Sequence, residues 1–453
     1  MHDRVGSRRR ARPRLRSGVE RQIAPIIALL LSIGFTFNGL DTLSGNPTLF
    51  LLCGAMLALL LLLDAPPRLF WTRALPILAL VLLAYGWATL PLWAPAQFLL
   101  RQGYIVPDLL LPRLLGAAGL LAAFLAGAML GARRNALANI IDWMLLFGCV
   151  NVIGGLILRE YGTELPWDIW RPRQDMRFTG TLSNANVAGT YYGMLALLAL
   201  GRIVSDPAIG DGPVAQAWRA ARWVGLLLCA GACAITASRS AMAGTLLGLT
   251  GIGLLHFLRR KGFDSWLVPL LLLLGAGGVL AVGLVDMLFA RASMIAEGTA
   301  GRTMMWGHYW HIARQAPWFG YGLGSFPDVN QQMLTDPRTA QALWMVNAPH
   351  NLILRFLIDG GVPFLLLLTI AMLVIVRRIA ANLSYYGPLD GRAGVVAAIF
   401  TALLCSMVDI ALDIPALAAM TLFLIGLLWE RHQFGSRSAS KALTVRHRSM
   451  KGK

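Results

Sequence analysis

The chain returns to apolar runs of roughly twenty residues, the length a helix needs to cross the hydrocarbon core of a bilayer. Polar breaks mark off about twelve of them, near residues 23–41, 47–63, 74–92, 113–131, 138–158, 183–204, 222–237, 240–258, 265–289, 353–376, 392–409 and 413–429. Composition agrees: 57% of the residues are hydrophobic, 14% are charged and the mean hydropathy is +0.63, whereas soluble domains are about a quarter charged. The expected fold is therefore an all-α integral membrane protein with one long outer loop, about 290–352, that contains amphipathic helices. One polytopic membrane unit is expected over residues 23–430, between basic tails at 1–22 and 431–453. No fixed-period repeat or Pro-rich linker interrupts it. No small-residue cleavage site follows the first apolar run, so a cleavable signal peptide is not expected.

The formal net charge of +18 is concentrated at the ends. Residues 1–22 carry eight Arg against Asp3 and Glu20, and residues 430–453 carry seven Lys or Arg against Glu430. Such tails suit cytoplasmic ends lying near anionic lipid. No aromatic interleaving accompanies the charge, which argues against a nucleic-acid partner. The five cysteines, Cys53, Cys149, Cys229, Cys233 and Cys405, all fall inside apolar runs, so buried free thiols are expected rather than disulfides or a zinc site.

Loop charges set the orientation. With the N-terminus inside, the inner loops hold Arg68 and Arg73, Arg133 and Arg134, Arg202, Arg219 and Arg222, Arg259 to Lys261, and Arg377, Arg378 and Arg392. The outer loops "DTLSGNP" and "DIALD" have no basic residue, and both termini fall in the cytoplasm. Two outer loops are basic nonetheless: "REYGTELPWDIWRPRQDMRF" (159–178) and the long loop bearing Arg291, Arg302, Arg314 and Arg338. An anionic ligand on the outer face would account for them.

Four stretches carry polar groups where a bilayer discourages them. In "RFTGTLSNANVAGTYYG" (177–193), Arg177 sits at the interface, and Asn184 and Asn186 open a helix, where capping is the simpler role. In "ITASRSAMAG" (235–244), Arg239 lies in a tight turn between two apolar runs. An Arg in the membrane interior costs roughly 2.5–3.5 kcal/mol on insertion scales, so it either snorkels to the headgroups or faces a ligand. In "GRTMMWGHYWHIARQAPWFGYGLGSF" (301–326), Met305, Trp306, Tyr309, Trp310, Ile312 and Ala313 recur at near-helical spacing. They predict an amphipathic helix on the membrane surface, with Arg302 in its first turn. The following "GYGLGS" fits either a plain loop of left-handed turns or a phosphate nest. His308 and His311 share a face, but no carboxylate or Cys completes a metal set.

The fourth stretch is "VNAPHNLILRFLIDGGVPF" (346–364). His350 is expected near the first turn of the next helix. There the positive end of the helix dipole disfavours imidazolium, and a neutral His can act as a general base. Asn351 can donate or accept a hydrogen bond beside it. A cap or interface marker is the plainer alternative for the pair. Arg355 and Asp359, one turn apart, can pair with each other. Arginines clamp phosphate oxygens with forked, charge-assisted bonds. Arg177, Arg239 and Arg302, with His350 on the same side, therefore suit glycosyl transfer from a lipid diphosphate.

At these residues the sequence resembles the O-antigen ligase / O-antigen polymerase superfamily of bacterial envelope glycosyltransferases. "RFTGTLSNANVAG", "TASRSAMAG", the 301–326 stretch and "PHNLILRFLIDGGVPF" stand in the family's order, over roughly residues 175–430. Phe364 departs from the family's Gly-x-x-Gly/Thr/Tyr ending. The resemblance implies a GT-C-like, metal-independent inverting transferase of the bacterial inner membrane, without a cofactor. It would take a glycan from undecaprenyl diphosphate at the periplasmic face. Arg239 and Arg302, and less directly Arg177, would bind the diphosphate. His350 would activate the acceptor hydroxyl, with Asn351 in support. Asp359, Asp409 and Asp413 would either orient an acceptor or cap helices. The acceptor could be lipid A core, a growing polysaccharide or a protein. A flippase for the same lipid-linked glycan is the harder rival; it would need the arginines but not His350. A secondary transporter would instead predict internal repeats and ionisable residues near mid-membrane, not Arg in several outer loops.

Overall fold

The computed structural model describes residues 17–42, 44–63, 66–93, 106–131, 133, 136–161, 177–205, 212–259, 302–386 and 391–430. The expected span at 265–289, the tails 1–16 and 431–453, and most of the 159–178 loop lie outside the described residues. The helices are α1 (Ser17–Thr36), α2 (Gly45–Leu63), α3 (Arg68–Thr89), α4 (Leu110–Gly131) and α5 (Ala136–Tyr161). They continue with α6 (Ala185–Ser205), α7 (Pro213–Ile235), α8 (Arg239–Arg259) and α9 (302–315). The last are α10 (Phe326–Met333), α11 (Pro337–Leu343), α12 (Leu352–Tyr386), α13 (Arg392–Ser406) and α14 (Pro415–Trp429). Each expected span within the described residues overlaps a helix, though those at 23–41, 392–409 and 413–429 fall on shorter apolar helices. Among the described residues, seven stretches are long and apolar enough to cross a membrane: Gly45–Leu63, Arg68–Leu92, Pro107–Gly131, Ala136–Tyr161, Ala185–Ser205, Pro213–Ile235 and Leu352–Leu383. Leu62, Leu75, Leu82, Leu227 and Leu373 turn outward, as side chains bathed in lipid would.

α6 is the axis of the bundle. From Val187 to Arg202 every side chain is buried, against α5, α7, α8 and α13. Packing without a hydrophobic drive between helices relies on close backbone approach through small residues. α4 and α14 show this: a side chain on Gly127 or Gly131 would strike the Phe423 or Leu427 carbonyl, and one on Gly426 the Phe124 carbonyl.

Basic residues assigned to inner loops behave differently from expectation. Arg202 and Arg222 are buried inside α6 and α7, and both fork onto Asp142 of α5 at 2.8–3.2 Å. They are helix-to-helix ties, because each helix runs further than its apolar stretch. Glu430, after α14, similarly gathers Arg73 (2.5 Å) and Arg378 (3.1 Å).

The long outer connection folds onto the opposite end of the bundle. α9 does not lay its apolar face on lipid: Met305, Tyr309, Ile312 and Ala313 pack with Phe326, Val329, Leu343, Leu354, Leu357 and Ile358 in a second core. Trp310 alone of the expected face stays exposed, with Trp306 half-buried. The expected span at 353–376 is broken at Gly361 (φ 74°, ψ −172°), just before Pro363. The break frees α12 carbonyls, and the 317–322 turn is stitched to it. Val362 N donates to Pro317 O (2.7 Å), Tyr321 N to Ile358 O (2.7 Å) and Gly322 N to Asp359 O (3.1 Å).

Candidate active site

The α13–α14 connection, "SMVDIALDIP", cannot continue a helix through Pro415 and closes instead as a short turn with a 3-10 segment at Ala411–Asp413. Ser406 anchors it, accepting from Leu412 N at 3.2 Å. This turn delivers Asp409, an almost fully buried carboxylate, to the end of the bundle where α6, α8, α9 and α12 begin.

Three of the expected site residues meet on that carboxylate or one residue away from it. His350 Nδ1 lies 3.4 Å from Asp409 Oδ1, with the ring 28% exposed. Arg302 Nη2, in the first turn of α9, lies 3.9 Å from Asp409 Oδ2, and its side chain is 47% exposed. Asn186 donates Nδ2 to Asp409 Oδ2, and Asn186 Oδ1 accepts from Arg177 Nη2 at 2.6 Å. Arg177 also donates Nε to the Thr236 carbonyl, 2.8 Å away. Of the two asparagines read as caps, Asn184 is one, accepting from Asn186 N and Val187 N (2.8 and 3.3 Å). Asn186 is not.

His350 lies before α12 rather than in its first turn, in left-handed backbone at φ 52°. Such a conformation is strained for a residue with a Cβ and persists where the surroundings dictate it. The surroundings here are Asn351. Its Oδ1 caps α12 by accepting from Ile353 N (3.0 Å) and Leu354 N (3.1 Å). Its Nδ2 donates to Met407 O (2.9 Å), two residues before Asp409. Asn351 thus spends its amide within the protein, joining the α12 start to the turn that carries the carboxylate.

Arg239 opens α8, exposed, with no hydrogen bond or ion pair among the described residues. Its turn is tied to Arg177, which holds the Thr236 carbonyl. His308 and His311 stand apart, with His311 Nε2 on Gln315 Nε2 at 3.0 Å.

The glycine-rich loop is not a phosphate nest. Five of its N–H groups are committed to protein acceptors: Gly320 to Ala316 O, Tyr321 and Gly322 to α12 carbonyls, Gly324 to Asp359 Oδ1 and Ser325 to Gly322 O. An anion nest needs those donors free. The loop instead braces a second polar group beside the first. Arg355 Nε pairs with Asp359 Oδ2 (2.8 Å), one turn on as expected, and reaches Asp413 Oδ1 at 4.0 Å. Burial pushes the Asp413 carboxyl above the usual range, with Arg355 pulling it back. None of Asp359, Asp409 and Asp413 caps a helix.

Asn186, expected as a cap, instead bonds Asp409, and Asp409 does not cap a helix. The available signal was an Asp in a short apolar turn, where an acid needs a partner. No curated protein matches the chain. The O-antigen ligase family model matches residues 224–369, roughly a third of the chain, a stretch that contains Arg239, Arg302, His350 and Asn351 but not Arg177, Asn186 or Asp409. That third of the chain, which supplies His350 and Arg302, is similar to the O-antigen ligase family, and it lies in a helical chain with helices long and apolar enough to cross a membrane.

Proposed function

We propose that this protein is a GT-C-like inverting glycosyltransferase of the bacterial inner membrane. It moves a glycan from undecaprenyl diphosphate to an acceptor hydroxyl at the periplasmic face, as a polysaccharide ligase or polymerase. The observation that carries this reading is the meeting of His350 and Arg302 on the Asp409 carboxylate. With Nδ1 turned to Asp409, the other ring nitrogen, Nε2, is left as the proton acceptor. Asp409 holds the ring and balances the charge that forms on it, the work a carboxylate does behind a catalytic histidine.

Nε2 takes the acceptor's hydroxyl proton as its oxygen attacks the anomeric carbon. The new C–O bond forms on the face opposite the departing phosphate, so configuration inverts. The bond from the anomeric carbon to the phosphate oxygen breaks, and the electron pair leaves with undecaprenyl diphosphate. Arg239 and Arg302 stabilise that developing charge from their exposed positions. Guanidinium groups supply the positive charge, so no step calls for a metal. The bundle end opposite this site gathers Arg73, Arg202, Arg222 and Arg378, which supports a cytoplasmic placement for that end.

The test uses the full-length protein in liposomes with lipid-linked glycan extracted from cells lacking the gene. His350→Ala should abolish transfer while undecaprenyl diphosphate still binds. Continued transfer by His350→Ala would remove the base. Movement of the lipid-linked glycan across the bilayer without a new glycosidic bond would make the protein a flippase. Modification of a protein instead of a glycan acceptor would make it a protein O-oligosaccharyltransferase.

A further inference from the structure

We propose that Asn186, held in place by Arg177, is the positioning residue that sets the Asp409 carboxylate to face His350. This inference rests on the transferase reading above and adds to it a part for two residues that do not touch substrate.

The geometry of the amide carries the argument. Arg177 can only donate hydrogen bonds, and an ionised Asp409 can only accept them. Between them stands a carboxamide with its oxygen on Arg177 Nη2 (2.6 Å) and its nitrogen on Asp409 Oδ2. Only this orientation is satisfied: a flipped amide would set donor against donor and acceptor against acceptor. Arg177 therefore selects the rotamer of Asn186, and Asn186 occupies Oδ2 of Asp409. Ile410 N occupies the other oxygen, Oδ1, at 2.8 Å, and it is Oδ1 that faces His350 Nδ1. With a donor on each oxygen, the carboxylate cannot rotate away from the imidazole without losing a bond. The chain of contacts crosses three separate pieces of backbone. Arg177 precedes α6 and is pinned to Thr236 between α7 and α8, Asn186 lies in the first turn of α6, and Asp409 lies between α13 and α14. Burial of Asp409 makes the bond count for more, since an unmatched buried acceptor is costly.

Arg177 differs in this from Arg302 and Arg239. Its Nε and Nη2 are engaged by protein acceptors, whereas Arg239 has no such partner among the described residues. Arg177 acts through Asn186 rather than on the diphosphate.

Asn186→Asp is the discriminating variant, being nearly the same size. It keeps an oxygen for Arg177 but loses the N–H given to Asp409, and sets a second carboxylate beside it. Initial rates are measured with the extracted lipid-linked glycan, and binding with undecaprenyl diphosphate as the probe. Asn186→Asp and Asn186→Ala should lower kcat at least tenfold, with donor KM and carrier Kd within twofold of the parent and the thermal midpoint of the liposome-extracted protein unchanged. Arg177→Ala should resemble Asn186→Ala, and the double variant should be no worse than Asn186→Ala alone, as expected for residues acting in series. A tenfold loss of carrier binding in Arg177→Ala, or additive losses in the double variant, would make Arg177 a donor ligand and overturn the relay. Unchanged kcat in both Asn186 variants would overturn it too, and so would a fall in kcat matched by a lowered thermal midpoint in both. His350→Ala separates the two readings: full turnover there defeats the transferase mechanism, whereas inactive His350→Ala beside active Asn186→Asp defeats the relay alone.

Discussion

Asn351 reaches across 56 positions of sequence to donate its amide to the Met407 carbonyl, 2.9 Å away, while the same side chain caps α12. One residue thereby joins the backbone that carries His350 to the backbone that carries Asp409. Asn351→Ala should lose a cap worth about 1 kcal/mol, a small drop in thermal midpoint. Turnover should fall much further, because the tether between the backbone of His350 and that of Asp409 goes with the cap. Melting curves and initial rates on the same preparation check the disproportion.

Asp409→Asn keeps the shape of the side chain and removes its charge. General-base catalysis contributes roughly 10²–10⁴-fold, so turnover should fall by about that range, with binding of undecaprenyl diphosphate retained. Single-turnover assays beside carrier titrations would read both quantities.

Arg239→Ala and Arg302→Ala should each weaken binding of undecaprenyl diphosphate. A hydrogen bond to a charged group contributes about 1.5–3 kcal/mol, or roughly ten- to hundredfold in Kd. Lys at either position should recover only part of it, since an ammonium lacks the planar fork. Equilibrium binding at two salt concentrations measures this, and the loss should be larger at low salt.

Gly361→Ala places a side chain at φ 74°, ψ −172°, against the Trp318 carbonyl. That backbone is essentially reserved for glycine, and such strain costs of order 1–3 kcal/mol. The thermal midpoint should drop, and hydrogen exchange should rise at the amides of Tyr321, Gly322 and Val362 that stitch the loop to the break.

Asp142→Ala leaves Arg202 and Arg222 buried without their shared carboxylate. Removing one partner of a buried ion pair typically costs about 3–5 kcal/mol. The yield of monodisperse protein should fall sharply, while turnover per folded molecule stays near the parent value, because no contact of Asp409 is altered.

The helical membrane architecture was legible in the linear chain because it follows from local facts. A run of twenty apolar residues is a property of consecutive positions, and so is the cap at Asn184. His350 and Arg302 stood out for the same reason, being polar groups beside runs that exclude them. The i, i+4 pair of Arg355 and Asp359 was equally local.

Other features depended on positions far apart. The glycine loop looked capable of cradling an anion until its N–H groups were seen bonded to α12 carbonyls. Those acceptors are free because α12 breaks at Gly361 and because Pro363 has no N–H to give the Asp359 carbonyl. α9 had the pattern of a surface-lying helix, and only the second core shows that protein covers its apolar face. The sequence by itself determined a bundle of membrane helices with a histidine and several arginines at its polar edges. The tertiary structure alone decided that Asp409 stands beside His350 and Arg302 and that Asn186 is its donor. A buried carboxylate takes its partners from whatever folding brings near it, and here those within 4 Å come from 59, 107 and 223 positions away.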